Sequence, residues 1–190
     1  MDIILGSGSP RRKDLLLQMG IEFSVIIPDA NESFNSDTPI YEVAPEIAKR
    51  KAESLIQNMK SDQILICCDT VVIHRGQILG KPNNREDAKN SLERLSGDTH
   101  EVMSAVCMYQ HEECIEFNEI TRIEFDTISK EDIEFYINKY KPFDKAGSYG
   151  IQEWIGLIGV KRMEGSYSNV IGLPTQKLFH ALNKWGVRPY

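Results

Sequence analysis

Apolar residues come in short runs along this chain, and their spacing changes from one run to the next. Ile3, Ile4 and Leu5 are contiguous and predict a strand. Beyond it Ser9 and Pro10 suit the cap and first position of a helix, Leu15, Leu16 and Met19 give that helix a buried face, and Gly20 is its natural stop. Alternation over residues 22–27 predicts a second strand, and a polar loop follows from Pro28 to Thr38. The next helix runs from about Pro45 to Asn58, with Ile47, Ala48, Ala52, Leu55 and Ile56 inward. Ile64 to Cys68 is unbroken apolar or thiol character, the mark of an interior strand. That strand is expected to end at Asp69-Thr70 and to resume as Val71-Val72-Ile73 before a turn at Arg75-Gly76.

In the second half Asn84 can cap a helix whose inner face is Ala88, Leu92 and Leu95, stopped by Gly97. Two β-rich segments follow near 102–109 and 114–126. Ser129-Lys-Glu-Asp132 resembles a capping box, with Asp in place of Glu, for a helix reaching Tyr140. A loop over 141–153 leads to an expected strand near Leu157 to Val160, and Pro174 opens a last helix with Leu178, Leu182 and Trp185 inward. Strands and helices interleave while β-rich segments also adjoin, so the pattern predicts an α/β fold with a mixed sheet. No repeat, low-complexity tract or linker divides it.

At 190 residues the chain fits a single domain with a substantial core. A net charge of −6 argues against non-specific binding to nucleic acid polymers or anionic membranes, though not against a local basic pocket for a small polyanion. No apolar run approaches the roughly 20 residues that span a bilayer, and no signal-peptide pattern precedes the first strand. Cys67, Cys68, Cys107 and Cys114 lack metal-binding spacing and are expected as buried thiols in a reducing cytoplasm. Four scattered histidines, His74, His100, His111 and His180, receive no catalytic role.

Polar clusters fall at the ends of elements. In Ser7-Gly-Ser-Pro-Arg-Arg12 the glycines allow a tight turn, and the helix that follows offers free N–H groups, a place for phosphate oxygens. Arg11 and Arg12 lie where the helix dipole repels cations, a conflict an anion resolves; a capped helix with solvated arginines reads equally well from spacing alone. Asp69 follows a buried-type strand, where a carboxylate is costly unless paired, hydrogen-bonded or metal-bound, and function is favoured over a turn-starting Asp. Gly76 to Pro82 is one residue short of a Walker motif and has Pro after its Lys, so Lys81 reads by itself as a solvated lysine. Phe143-Asp-Lys-Ala-Gly-Ser-Tyr-Gly-Ile-Gln152 is a glycine-punctuated loop whose Gln152 amide can both donate and accept, as base recognition requires.

Together these clusters resemble the Maf family of nucleoside triphosphate pyrophosphatases, nearly end to end and in order. The matching stretches are Ser7-Gly-Ser-Pro-Arg-Arg12, Asp69-Thr-Val-Val72, Ile78-Leu-Gly-Lys-Pro82, Leu95-Ser-Gly97 with His100, Asp144 to Gln152, and Gly165 to Pro174. The resemblance implies a Maf/ITPase-like α/β fold: an elongated, twisted mixed sheet with flanking helices, one domain over 1–190 with two lobes around a deep cleft. It implies hydrolysis of nucleoside triphosphates to monophosphate and pyrophosphate with Mg²⁺ or Mn²⁺, Asp69 as base and Lys81 as its catalytic companion. Phosphate-binding positions align with Ser7, Ser9, Arg11, Arg12, Lys51 and Lys81, and Glu32 with Asp69 forms the implied metal pair. The Arg-Arg, Asp-Thr and Tyr-Gly-Ile-Gln signatures resemble the branch preferring dTTP and UTP, a choice tied to Arg12, Thr70 and Gln152. A homodimer is a family-level expectation. A nucleotide-binding regulator of septum formation, acting through a protein partner, is the alternative, but it needs neither Asp69 nor Glu32. Departures from the family pattern are Gly6 and Cys68 where Ala is usual, Tyr140-Lys-Pro where Gly-Glu-Pro is common, and Asn31 in place of an acid.

Overall fold

The computed structural model describes residues 2–188. Strand β1 (Asp2–Gly6) leads into helix α1 (Pro10–Gln18), and β2 (Ser24–Val25) and α2 (Val43–Ile56) precede the long β3 (Gln63–His74). β4 (Gln77–Leu79) and α3 (Arg85–Leu95) come next, then the paired-length strands β5 (Thr99–Gln110) and β6 (Glu113–Phe125) and helix α4 (Lys130–Tyr140). The chain ends in α5 (Trp154–Gly159), β7 (Val160–Glu164), α6 (Tyr167–Ile171) and α7 (Thr175–Lys184). Among the described residues seven strands form one sheet in the order β2-β1-β3-β5-β6-β7, with β4 on β3. β1 is parallel to β2 and β3, whereas β4 on β3 and β7 on β6 are antiparallel, so the expected α/β fold with a mixed sheet is what the sequence forms.

Four expectations change. The alternation over 22–27 yields a strand of only two residues, Ser24–Val25, both exposed, because with no buried face nothing extends the pairing beyond its short parallel register with β1. β3 does not break at Asp69-Thr70; the β-branched run Thr70 to Ile73 carries it on to His74. Its parallel ladder with β1 closes at the Gly6–Cys67 pair, so Asp69 still stands just past that ladder's carboxyl end. The strand expected near Leu157 to Val160 starts only at Val160, as β7; residues 157–159 close the helix α5, which buries Ile155 and Gly159, four residues apart, and leaves Leu157 81% exposed. Cys114 is also exposed rather than buried, since β6 alternates and shows that face to solvent.

The capping predictions hold locally. Asn84 accepts from the Asp87 N–H, and Ser129 accepts from the Asp132 N–H while donating to the Asp132 carboxylate at 2.7 Å. The chain divides into two compact units. One takes in the residues up to Asp69, Ser104–Glu119 and those from Gly172 on; the other is Thr70–Met103 with Ile120–Ile171. The second unit has its own core, in which Leu92, Leu95, Ile123, Ile133 and Ile155 are buried around a cluster of His100, Phe125 and Tyr149 rings packed edge to face.

Candidate active site

In the first unit the turn after β1 is shaped by a missing side chain. A Cβ on Gly6 would lie 2.3 Å from the Cys67 sulfur and 3.1 Å from Leu55, so the glycine is what lets β1 and β3 lie side by side here. Ser7 is buried, and its hydroxyl accepts from the Ser9 N–H at 3.2 Å and from Arg12 Nη1 at 3.1 Å. Arg12 Nε donates to the Gly172 carbonyl at 2.9 Å, so its guanidinium is held at both ends. That carbonyl also accepts from the Cys68 thiol at 3.2 Å. Ser9 has the extended backbone of a cap but makes no side-chain cap bond, and the first turn of α1 holds no acid. The start of α1 therefore gathers Arg11, Arg12 and the positive end of a helix whose first turn holds no acid, and all three favour an anion.

Lys51 stands on the buried stripe of α2 with Ala44, Ala48, Ala52 and Leu55, and is itself 5% exposed. Its ammonium lies 2.6 Å from Asp69 Oδ1 and 2.8 Å from Glu32 Oε1. One buried cation thus bridges two carboxylates, which leaves the trio with a net negative charge. A buried charge of this kind is tolerated only because it is paired. Glu32, half-exposed, and Asp69, nearly buried, supply hard oxygens with capacity beyond the lysine bond. Such a donor set fits magnesium or manganese, which bind through one or two carboxylates and complete their shell with water and phosphate oxygens. Cys67 lies within electrostatic reach of both Lys51 and Arg12. Burial and the neighbouring Cys68 push its thiol up to about 12 in spite of those cations, so it stays protonated and is no nucleophile.

Ser7, Ser9, Arg12, Glu32, Lys51 and Asp69 are therefore gathered in the first unit, with Arg11 half-buried on the same turn of α1. Thr70, Lys81 and Gln152 belong to the second. There the Gly147 N–H donates to the Gly80 carbonyl at 3.2 Å, which joins the segment bearing Lys81 to the loop that leads to Gln152. Gly147 has φ +65°, and a Cβ on it would press within 3.0 Å of Val72. Gln152 is exposed in the turn before α5. That turn is anchored by residues to which the sequence assigned no role. Buried Lys145 pairs with Glu153 at 3.1 Å and Asp144 at 2.8 Å, the Tyr136 hydroxyl donates to Glu153, and the Gly150 N–H donates to Tyr136 at 3.0 Å. Tyr136 and Glu153 look like an ordinary helix residue and loop acid in sequence, so only the folded chain pairs them.

A family model described as Maf-like protein matches residues 2–185. The chain is 44% identical over 183 residues to a dTTP/UTP pyrophosphatase of Bacteroides thetaiotaomicron, covering 96% of this chain and 95% of that one. It is 45% identical, over the same shares, to a dTTP/UTP pyrophosphatase of Phocaeicola vulgatus. In structure it is similar to the Staphylococcus aureus Ham1 protein, with a TM-score of 0.53 and 16% identity over 98% of this chain and all of that one, a likeness of fold.

Proposed function

This chain belongs to the Maf-like family, and from that membership we propose that it hydrolyses dTTP and UTP to the nucleoside monophosphate and pyrophosphate. Relatives more than 40% identical along nearly the whole chain are named for that activity. The observation that carries the reading is the buried ammonium of Lys51 bridging Glu32 and Asp69, within electrostatic reach of a thiol that Arg12 also reaches.

In the proposed reaction the water oxygen bonds to the α-phosphorus as the bond to the bridging α–β oxygen breaks, and pyrophosphate leaves with that oxygen. Ser7, Ser9, Arg11, Arg12, Lys51 and the N-terminus of α1 offset the triphosphate charge. Lys81 steadies the departing phosphates. Asp69 takes the proton of the attacking water, with Lys51 holding one of its oxygens. Glu32 and Asp69 would hold magnesium or manganese, which would supply further charge neutralisation when bound. Thr70, Arg12 and Gln152 choose the base: uracil and thymine offer an O4 acceptor and an N3–H donor, and a Gln152 amide of fixed orientation matches that pair but not cytosine. Once a bound base covers this exposed amide, a wrongly paired polar group there costs about 1–3 kcal/mol, roughly ten- to a hundredfold in selectivity. A reducing cytoplasm suits the four free cysteines.

The test is hydrolysis of a triphosphate panel in ¹⁸O-labelled water with Mg²⁺ and with Mn²⁺. The label is expected in the monophosphate, with dTTP and UTP highest in kcat/KM. Diphosphate with orthophosphate as products, or CTP or a purine triphosphate as best substrate, overturns the cleavage site or the base preference respectively.

A further inference from the structure

The tip of the β5–β6 hairpin holds a cluster that the proposed chemistry does not use. Cys107 and Cys114, seven residues apart, bring their sulfurs to 3.9 Å. Glu116 Oε1 lies 3.8 Å from the first and 4.0 Å from the second. Among the described residues this is the one group of three His, Cys, Asp or Glu side chains close enough to share an ion. We infer that Cys107, Cys114 and Glu116 form a binding site for one thiophilic divalent cation, zinc in particular.

The three separations are nearly equal, and that is the shape of a coordination face. Two thiolates on a tetrahedral zinc with Zn–S bonds of about 2.3 Å stand about 3.8 Å apart, and an ion equidistant from these three atoms would be about 2.3 Å from each. A disulfide needs its sulfurs at about 2.05 Å, well inside the observed gap, and gives Glu116 nothing to do. Cys107 is buried while Cys114 and Glu116 face solvent, so the ion has an entry path and water can fill a fourth position. An outer partner is already present, since the Tyr109 side chain hydrogen-bonds the Cys114 thiol. The Lys49 ammonium, 3.8 Å from Glu116 and half-exposed, is a weak competitor that can swing into water. Two sulfurs select against magnesium, just as the all-oxygen pair of Glu32 and Asp69 selects for it, so the chain sorts two kinds of cation between two places.

Cobalt titration of the reduced, chelator-stripped full chain tests this. One equivalent should bind with thiolate-to-cobalt charge-transfer absorption, bleached by one equivalent of zinc. Cys114→Ser, at an exposed position, should abolish the band and weaken zinc binding by roughly a hundredfold or more, because even the outer partners of a metal site are worth about ten- to a hundredfold. Glu116→Gln should weaken binding and keep the band. Absence of the band in the parent, its survival in Cys114→Ser, or zinc affinity equal in parent and variants overturns the site.

Discussion

Lys51 occupies a place on α2 where the surrounding stripe is alanine and leucine. A lysine on the inward face of an amphipathic helix is the residue-level sign that something anionic awaits it, and here that is Asp69 and Glu32. Asp69→Asn should keep the fold and lower turnover by about 10²–10⁴-fold, the usual range for losing a general base. Raising the metal concentration separates its two possible duties in steady-state kinetics: a lost ligand is partly restored by excess Mn²⁺, a lost base is not. Gly6 carries a second residue-scale prediction. It stands where the family pattern has alanine, and the Cys67 sulfur fills the space a Cβ would need. Gly6→Ala should cost about 1–3 kcal/mol in urea unfolding by overpacking, and Cys67→Ala in the same chain should recover a large part of it. Purely additive effects of the two changes would contradict the steric coupling.

Elements whose signals are local were legible in the sequence. Asn84 and Ser129 announce α3 and α4 because a cap is made within four residues of itself. The apolar run Ile64 to Cys68 announces β3, though not that Thr70 to Ile73 continue it without a break. α5 was misread because Trp-Ile-Gly-Leu-Ile-Gly has no period long enough to tell a buried strand from one and a half turns of helix. The residue types of the candidate site, Ser7, Arg12 and Asp69 above all, stand out in the sequence, whereas the contacts that hold them do not. The hairpin cluster and the Tyr136–Glu153–Lys145 anchor were not legible either, because each depends on pairings that no spacing encodes. Gly156 tests the element that was misread: a Cβ there would stand 1.9 Å from the Ile151 carbonyl oxygen. Gly156→Ala must therefore displace the turn that carries Gln152. It should lower stability and, in competition assays, narrow the preference for UTP over CTP; an unchanged preference would detach Gln152 from base selection.

At the scale of the whole molecule, stability should fall on mild acidification. Burial, helped by nearby His74, pushes His100 down to about 3 in the folded chain, against about 6.5 when unfolded. Between those values the unfolded chain holds a proton that the folded one refuses, so this group takes away up to about 1.4 kcal/mol per pH unit as pH drops, and nothing above about 6.5. Asp98, held down to about 2 by its hydrogen bonds from His74, Thr99 and Arg75, acts in the same direction at lower pH. Denaturation midpoints at pH 7, 6, 5 and 4 should decline in the parent and decline less in His100→Gln; parallel profiles would remove His100 as the cause. The assembly of the first unit from three separate stretches has a consequence for synthesis. A nascent chain leaves the ribosome with Ser7, Arg12, Lys51 and Asp69 already made, yet Arg12 cannot be clamped until Gly172 has emerged, nor can Trp185 close its 2.9 Å bond to Glu113 until later still. The proposed phosphate cradle thus depends on a clamp between residues 160 positions apart, so a growing polypeptide stays idle toward nucleotides until the segment bearing Gly172 has been made.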